Sequence, residues 1–272
     1  MPSTKPKIYL PGETKEQRKA RKRLEKAQHE QAQETVPSST EKRYVVCLKW
    51  GDKYSPDYVN NLYNMVKRNC TVDYEFICFT ENSKGIDKHI TVRPLPVLPV
   101  KGWWYKPWFL SDKLGIEGTA LFLDLDLIVF ESIDQMWTYK QDCPFVIIRD
   151  FNRHARANWD RMNSSVFRFK IGAYSSIYNE FEKNAAAISK RFQGDQDWMY
   201  RSIKDHAFWP DEWIQSYKWE MRGKEHLTFK NGKRNFSKPA EPKILPQTRI
   251  AVFHGQPDIH DCIDTWPRRN WY

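Results

Sequence analysis

No stretch of the 272-residue chain approaches the roughly 20 consecutive apolar residues that a membrane-spanning helix needs. The opening Met1-Pro-Ser-Thr-Lys runs into charge and has no apolar stretch of the kind a secretory signal carries. The expectation is a soluble, intracellular protein without a transmembrane segment. Cysteine is scarce. The five thiols (Cys47, Cys70, Cys78, Cys143, Cys262) are odd in number and show no CxxC spacing, which argues against a disulfide scaffold or a zinc site. Cys47 and Cys78 fall in apolar strand-like runs, where a free thiol behaves as a small hydrophobe. No internal repeat is present. A Gly-rich phosphate loop near the N-terminus is also missing, since Trp50-Gly51-Asp52-Lys53 matches one poorly; this weighs against a nucleotidyltransferase.

Aromatic residues, by contrast, are abundant: 15 % of the chain, including 12 Trp. Indole rings pack cores and also stack on sugars or bases. Trp103-Trp104 and the Trp209–Trp213 segment suit either use, with core packing as the simpler one. Net charge is +10, which would attract phosphate-rich partners. About half of that excess lies in residues 1–43, where 11 Lys and Arg face 6 Glu. Lys15–Gln33 favours helix but has almost no apolar stripe to dock, so residues 1–43 read as a flexible basic leader, disordered or a solvated helix. Residues 44–272 then form the folded domain.

From Tyr44 the pattern changes. Tyr44–Trp50 (YVVCLKW) predicts a buried first strand, and Tyr58–Lys67 a helix entered after Ser55-Pro56-Asp57. Tyr74–Thr80 and Ile90–Arg93 predict strands, Trp108–Leu114 a short helix, and Thr119–Leu123 (TALFL) a fourth, buried strand. Such alternation predicts an α/β, Rossmann-like domain with a mostly parallel sheet flanked by helices. Further on, Phe145–Arg149 and Val166–Phe169 read as strands, and Tyr174–Ser189 and Gln196–Ile203 as helices. Residues 222–247 read as a long surface loop, and Arg249–Phe253 as a last short strand.

The fourth strand runs directly into Asp124-Leu125-Asp126. Two carboxylates at i and i+2, at the mouth of a strand, can converge on one hard cation, Mn²⁺ or Mg²⁺. Such an ion would stabilise the charge that develops on a departing nucleoside diphosphate. A DxD by itself is often a pair of solvated surface acids; here both acids lie in an otherwise apolar stretch, where an unpaired carboxylate is costly. Arg249–Phe253 delivers His254, whose neutral imidazole suits a third metal position. Met162-Asn163-Ser164-Ser165 places small polar groups just before a strand, and Gly194-Asp195-Gln196-Asp197 opens a helix, where acids also act as plain N-terminal caps.

In this order (strand-DxD, N-S-[SG]-V, G-D-Q-D, late apolar strand with H-G) the motifs resemble the glycogenin and lipopolysaccharide galactosyltransferase group of GT-A glycosyltransferases. The segments KWGDKYSPDYVNNLYNMV, GWWYK and WPDEWIQSYK look like a bacterial or phage branch of it. The resemblance spans about residues 44–265 and implies a GT-A fold, a UDP-sugar or other nucleotide-sugar donor, Mn²⁺ or Mg²⁺, and a cytoplasmic location. It also implies roles. Asp124, Asp126 and His254 match the metal ligands, with Asp124 near the donor ribose. Asn163 and Ser164 match donor-sugar contacts, and Asp195 with Gln196 match the pair beside the transferred sugar. Lys106 matches a basic donor contact, while Trp50 and Tyr54 are placed to meet the nucleobase. One departure concerns the phosphates. The group often carries a lysine shortly after H-x-G, and none follows in His254-Gly255-Gln256-Pro257-Asp258. His260, Lys101, Arg268 and Arg269 are the candidates to replace it.

A surface glycan is the first acceptor expected. A hydroxymethylated base in phage DNA is the alternative, favoured slightly by the basic charge, and a non-catalytic nucleotide-sugar-binding protein is the other. Whether transfer retains or inverts configuration, and whether Asp195 acts as a base or as a sugar ligand, are both open from the sequence.

Overall fold

The computed structural model describes residues 41–272 except Ala155 and Ala157; the conformation expected of residues 1–40 lies outside them. From Glu41 to Tyr272 the chain packs as one unit. Strand β1 (Arg43–Lys49) leads to helix α1 (Pro56–Asn69), β2 (Glu75–Thr80) and β3 (Thr91–Arg93). These alternate as predicted because β1 and β2 are apolar on both faces, as strands covered on both sides must be. Alternate residues of β1 serve opposite layers. Val45 and Cys47 join the core under α1, with Leu62 and Met65, whereas Val46 and Leu48 join the core of Phe79, Phe109 and Phe122. Cys47 and Cys78 are register partners, and all five cysteines are free.

Strand β4 (Thr119–Leu123) lies beside β1, and the order continues through β7 (Met162–Lys170), β6 (Phe145–Arg149) and β8 (Ala207–Phe208). In this seven-stranded sheet, β3, β2, β1 and β4 run parallel; β7 is antiparallel to β4 and β6. Helices α2 (Ser175–Arg191) and α3 (Asp195–Ser202) cover the second face. A smaller sheet joins β5 (Leu127–Val129), β12 (Ile250–Val252) and β9 (Ile214–Ser216), in that order.

Three sequence expectations need correction. The turn of helix expected at 108–114 lies earlier, as a 3₁₀ segment over Gly102–Leu110. Pro107 cannot donate a backbone hydrogen bond inside it, and the tighter winding buries Trp104, Lys106 and Trp108 together. Residues 222–247 are not a plain loop. They hold a hairpin, β10 (Leu227–Lys230) with β11 (Lys233–Phe236), turned at Asn231-Gly232, both with positive φ. Asn-Gly is the strongest short hairpin signal, but the strands are mostly exposed and carry no apolar alternation to announce them. Finally, Met162–Ser165 lie within β7 rather than ahead of it.

Candidate functional site

Two strand pairings assemble a cleft at the carboxyl ends of β1 and β4. Opposite β4, the antiparallel β7 sets Leu123 against Val166, and the next residue, Asp124, donates its N–H to Ser165 O at 2.9 Å. That register brings the DxD beside Asn163-Ser164-Ser165. A bulge helps: Ile147 pairs with Phe167 but Ile148 with Asn163, so β7 residues 164–166 leave the ladder with β6. In the small sheet, Leu127 pairs with Val252, and Phe253 N–H donates to Asp126 O at 2.8 Å, which carries His254 into the same cleft.

The cleft has a volume of about 520 Å³, and the ten residues matched in the sequence to metal, donor or transferred-sugar roles line it. Trp50 and Tyr54 come from the turn after β1 and Lys106 from the 3₁₀ segment, beside Asp124 and Asp126. Asn163, Ser164 and His254 close one side, and Asp195 with Gln196 enter from the first turn of α3. Trp103, half exposed at 51 %, also lines it, whereas Trp104 is buried and stacked on Phe181. Trp209 and Trp213 are core, stacked on each other.

The electrostatics centre on Lys106. Its ammonium donates to Asp124 Oδ2 at 2.8 Å, to Ser164 O at 3.1 Å and to Ser164 Oγ at 3.2 Å. Burial works against its charge, but Asp124 and Asp195 outweigh it and raise the lysine pKa. Burial pushes Asp124 up to about 6; Lys106 opposes that rise and Asp126 adds to it. Asp195 is also raised, by burial, and its Oδ2 has no hydrogen-bond partner among the described residues. A carboxylate oxygen left bare inside a cleft points to a ligand group that would satisfy it. Asp126 Oδ2 accepts from Tyr54 OH at 3.1 Å, and the tyrosine hydroxyl accepts from Lys53 Nζ at 2.7 Å.

His254 is held on three sides. Its Nε2 is 2.7 Å from Ser216 Oγ, Phe151 stacks on its ring, and Trp219 meets it edge-on. Burial, together with the charge of Lys218, pushes its pKa down to about 3, so the imidazole is neutral at physiological pH. In the tautomer whose Nε2–H donates to Ser216 Oγ, Nδ1 keeps its lone pair. Two carboxylates and a neutral imidazole suit a hard or borderline divalent cation in kind. Among the described residues, however, no three His, Cys, Asp or Glu form a cluster that encloses an ion. The residues present therefore match a divalent cation in kind, while their spacing does not enclose one.

Sequence reading missed Lys218. None of the four replacements named for the absent phosphate lysine lines the cleft. Lys218 does approach it from behind: its Nζ would lie 3.6 Å from a Cβ placed on Gly255, and it donates to Gln256 O at 3.0 Å. The side chain is buried and has no carboxylate within ion-pair distance among the described residues. Burial lowers its pKa to about 8, against the pull of Asp126 and Asp258. It sits on a π-helical turn (Tyr217–Met221) directly after β9.

A scan against family models and a search of curated proteins find no match. Solved structures are similar in fold. The galactosyltransferase LgtC, in complex with donor and acceptor sugar analogs, aligns at a TM-score of 0.58 with 11 % identity, over 83 % of this chain and 93 % of its own. The bifunctional glycosyltransferase WbbM aligns at 0.53 with 11 % identity, over 82 % of this chain and 47 % of its own. Apo GlyE of Streptococcus pneumoniae TIGR4 aligns at 0.52 with 14 % identity, over 80 % and 56 %. At these identities the likeness is one of fold: the mostly parallel, helix-flanked sheet of GT-A glycosyltransferases. No helix among the described residues is long and apolar enough to cross a membrane.

Proposed function

We propose that this chain is a metal-assisted glycosyltransferase that moves a sugar from a nucleotide-sugar, with UDP-sugars the first to try, onto a glycan acceptor. One observation carries the reading. Four segments distant in sequence, each with its own polar motif, converge on one cleft around the buried Lys106–Asp124 pair and Asp195, whose Oδ2 has no hydrogen-bond partner among the described residues. A fold alone does not set function; this convergence at the strand ends is where α/β sheets bind ligands.

In this reading Asp124, Asp126 and His254 would hold Mn²⁺ or Mg²⁺, which supplies Lewis-acid stabilisation of the leaving diphosphate. The remaining work falls to the chain's own residues. Trp50 and Tyr54 flank the base, and Asn163 and Ser164 offer hydrogen bonds to sugar hydroxyls. Lys106 keeps Asp124 oriented and adds positive charge to the cleft. Lys218, behind Gly255, supplies the cation that the sequence lacks after His254. Asp195 and Gln196 lie where the transferred sugar would sit. As the bond from sugar C1 to phosphate oxygen breaks, a bond from acceptor oxygen to C1 forms, and the acceptor proton leaves to a base.

The test is a panel of nucleotide-sugars with Mn²⁺ and then with EDTA, read by thermal shift and slow donor hydrolysis. Stabilisation by one donor, present with Mn²⁺ and absent with EDTA, is the expected result. No shift with any donor would overturn the assignment. Binding without hydrolysis or transfer would favour a non-catalytic nucleotide-sugar-binding protein.

A further inference from the structure

Beside the cleft lies a second cavity of about 510 Å³, and Gln193 and Asp197 line both. Arg161, Arg191, Arg201 and Lys204 bring four cations to it, all exposed and none in an ion pair among the described residues. Among the described residues, the sole carboxylate on its lining is Asp197. Trp159, Phe192 and Tyr200 form its apolar surface. Arg161 lies over two of these rings, 5.5 Å from the centroid of Trp159 and 4.8 Å from that of Tyr200, and Arg191 is 5.7 Å from Phe192. Cation–π contact of this kind orients guanidinium groups and leaves their N–H edges for an oxyanion.

The two cavities share a support as well as a wall. The buried Asp150 accepts from Trp159 Nε1 at 3.2 Å through Oδ1, and from Gln196 Nε2 at 3.2 Å through Oδ2. One carboxylate thus fixes a ring of the basic cavity and an amide of the cleft.

We propose that this second cavity seats the anionic group of the acceptor, a saccharide unit bearing a phosphate ester or a carboxylate. That it serves an acceptor rests on the donor-cleft reading above; that it binds anionic sugars does not. Its volume is that of a small-molecule site. Single-stranded nucleic acid needs a groove that tracks the backbone and open aromatic faces for the bases, whereas here the cations ring one cavity and arginines lie over the rings. A ligand seated here would reach the cleft past Gln193 and Asp197.

The experiment is calorimetric titration of the full chain, without nucleotide, using glucose 6-phosphate, glucuronic acid, glucose and a short thymidine oligonucleotide. At least one of the two anionic sugars binds, glucose does not, and comparing the two separates phosphate from carboxylate recognition. Replacing both Arg161→Ala and Arg201→Ala, which are surface positions, weakens the sugar anion at least about tenfold. Asp126→Ala, in the cleft, leaves this binding intact. If glucose binds as well, if neither anion binds, or if the double variant binds unchanged, the proposal is wrong. An oligonucleotide that binds tighter than either sugar, and is lost in the double variant, would replace it with a nucleic acid site. If sugar anions bind as expected while no nucleotide-sugar does, the donor-cleft reading fails and the anion site stands.

Discussion

Ser216 Oγ stands 2.7 Å from His254 Nε2 although the two residues are 38 apart in sequence. The parallel pairing of β9 with β12, which sets Ser216 against Val252, makes the contact. A hydrogen bond to the ring nitrogen that does not face a metal selects the tautomer that can ligate it. Ser216→Ala is expected to weaken Mn²⁺-dependent donor binding about tenfold, within the range such supporting partners carry. Because Ser216 Oγ also accepts from Trp219 N–H, about 1 kcal/mol of stability should go with it. Calorimetry of donor binding beside a urea melt separates the two effects.

Asp126→Ala should abolish metal-dependent donor binding and turnover. The variant loses a carboxylate whose Oδ2 is held by Tyr54, so Tyr54→Phe is the milder companion, expected to cost roughly threefold to tenfold in donor affinity. Intact binding and turnover by Asp126→Ala in the presence of Mn²⁺ would show the site assignment to be wrong.

The Lys106–Asp124 pair makes a prediction about stability and pH. Lys106→Met leaves Asp124 and Asp195 in the cleft without their countercharge and should cost about 3 kcal/mol or more; adding Asp124→Asn should recover part of that. For Asp124 in the wild type, folding raises the pKa from about 4 to about 6. The unfolded state therefore holds fewer protons between those values, and this group's contribution is fully present below about 4 and lost as pH rises through about 6. Asp124→Asn removes this dependence, so wild type should gain stability relative to the variant as pH falls from about 6 to about 4. Paired urea melts across that range check the sign.

Lys218 makes the opposite kind of case. Burial lowers its pKa to about 8, so its charge disfavours folding below that value and the cost fades as pH rises from about 8 towards the ordinary value of about 10.4. Lys218→Met should therefore be as stable as wild type or more so at pH 7, while binding the donor about tenfold more weakly. Wild-type affinity should fall as pH rises through about 8, and the variant should lack that fall. A pH series of donor titrations on both proteins decides it.

Much of this molecule was determined locally. Apolar runs such as TALFL and YVVCLKW can only be buried strands, because both faces of each need cover. Carboxylates set at the end of such a run stay out of the core, so Asp124 and Asp126 were legible as candidates before any fold was known, and both line the cleft. Gly194-Asp195 was legible as a helix start for a similar reason, acids being favoured in a first turn. Tertiary structure alone decided what those acids face. Lys218 and Ser216 end the WPDEWIQSYK segment, in which nothing marked them as site residues, and they come near His254 only because β9 pairs in parallel with β12. Asp150 joins Trp159, 9 residues further along the chain, to Gln196, 46 residues further along. Strand pairing between segments distant in sequence leaves no periodicity in either one, so a contact of that kind appears only when the chain has closed on itself.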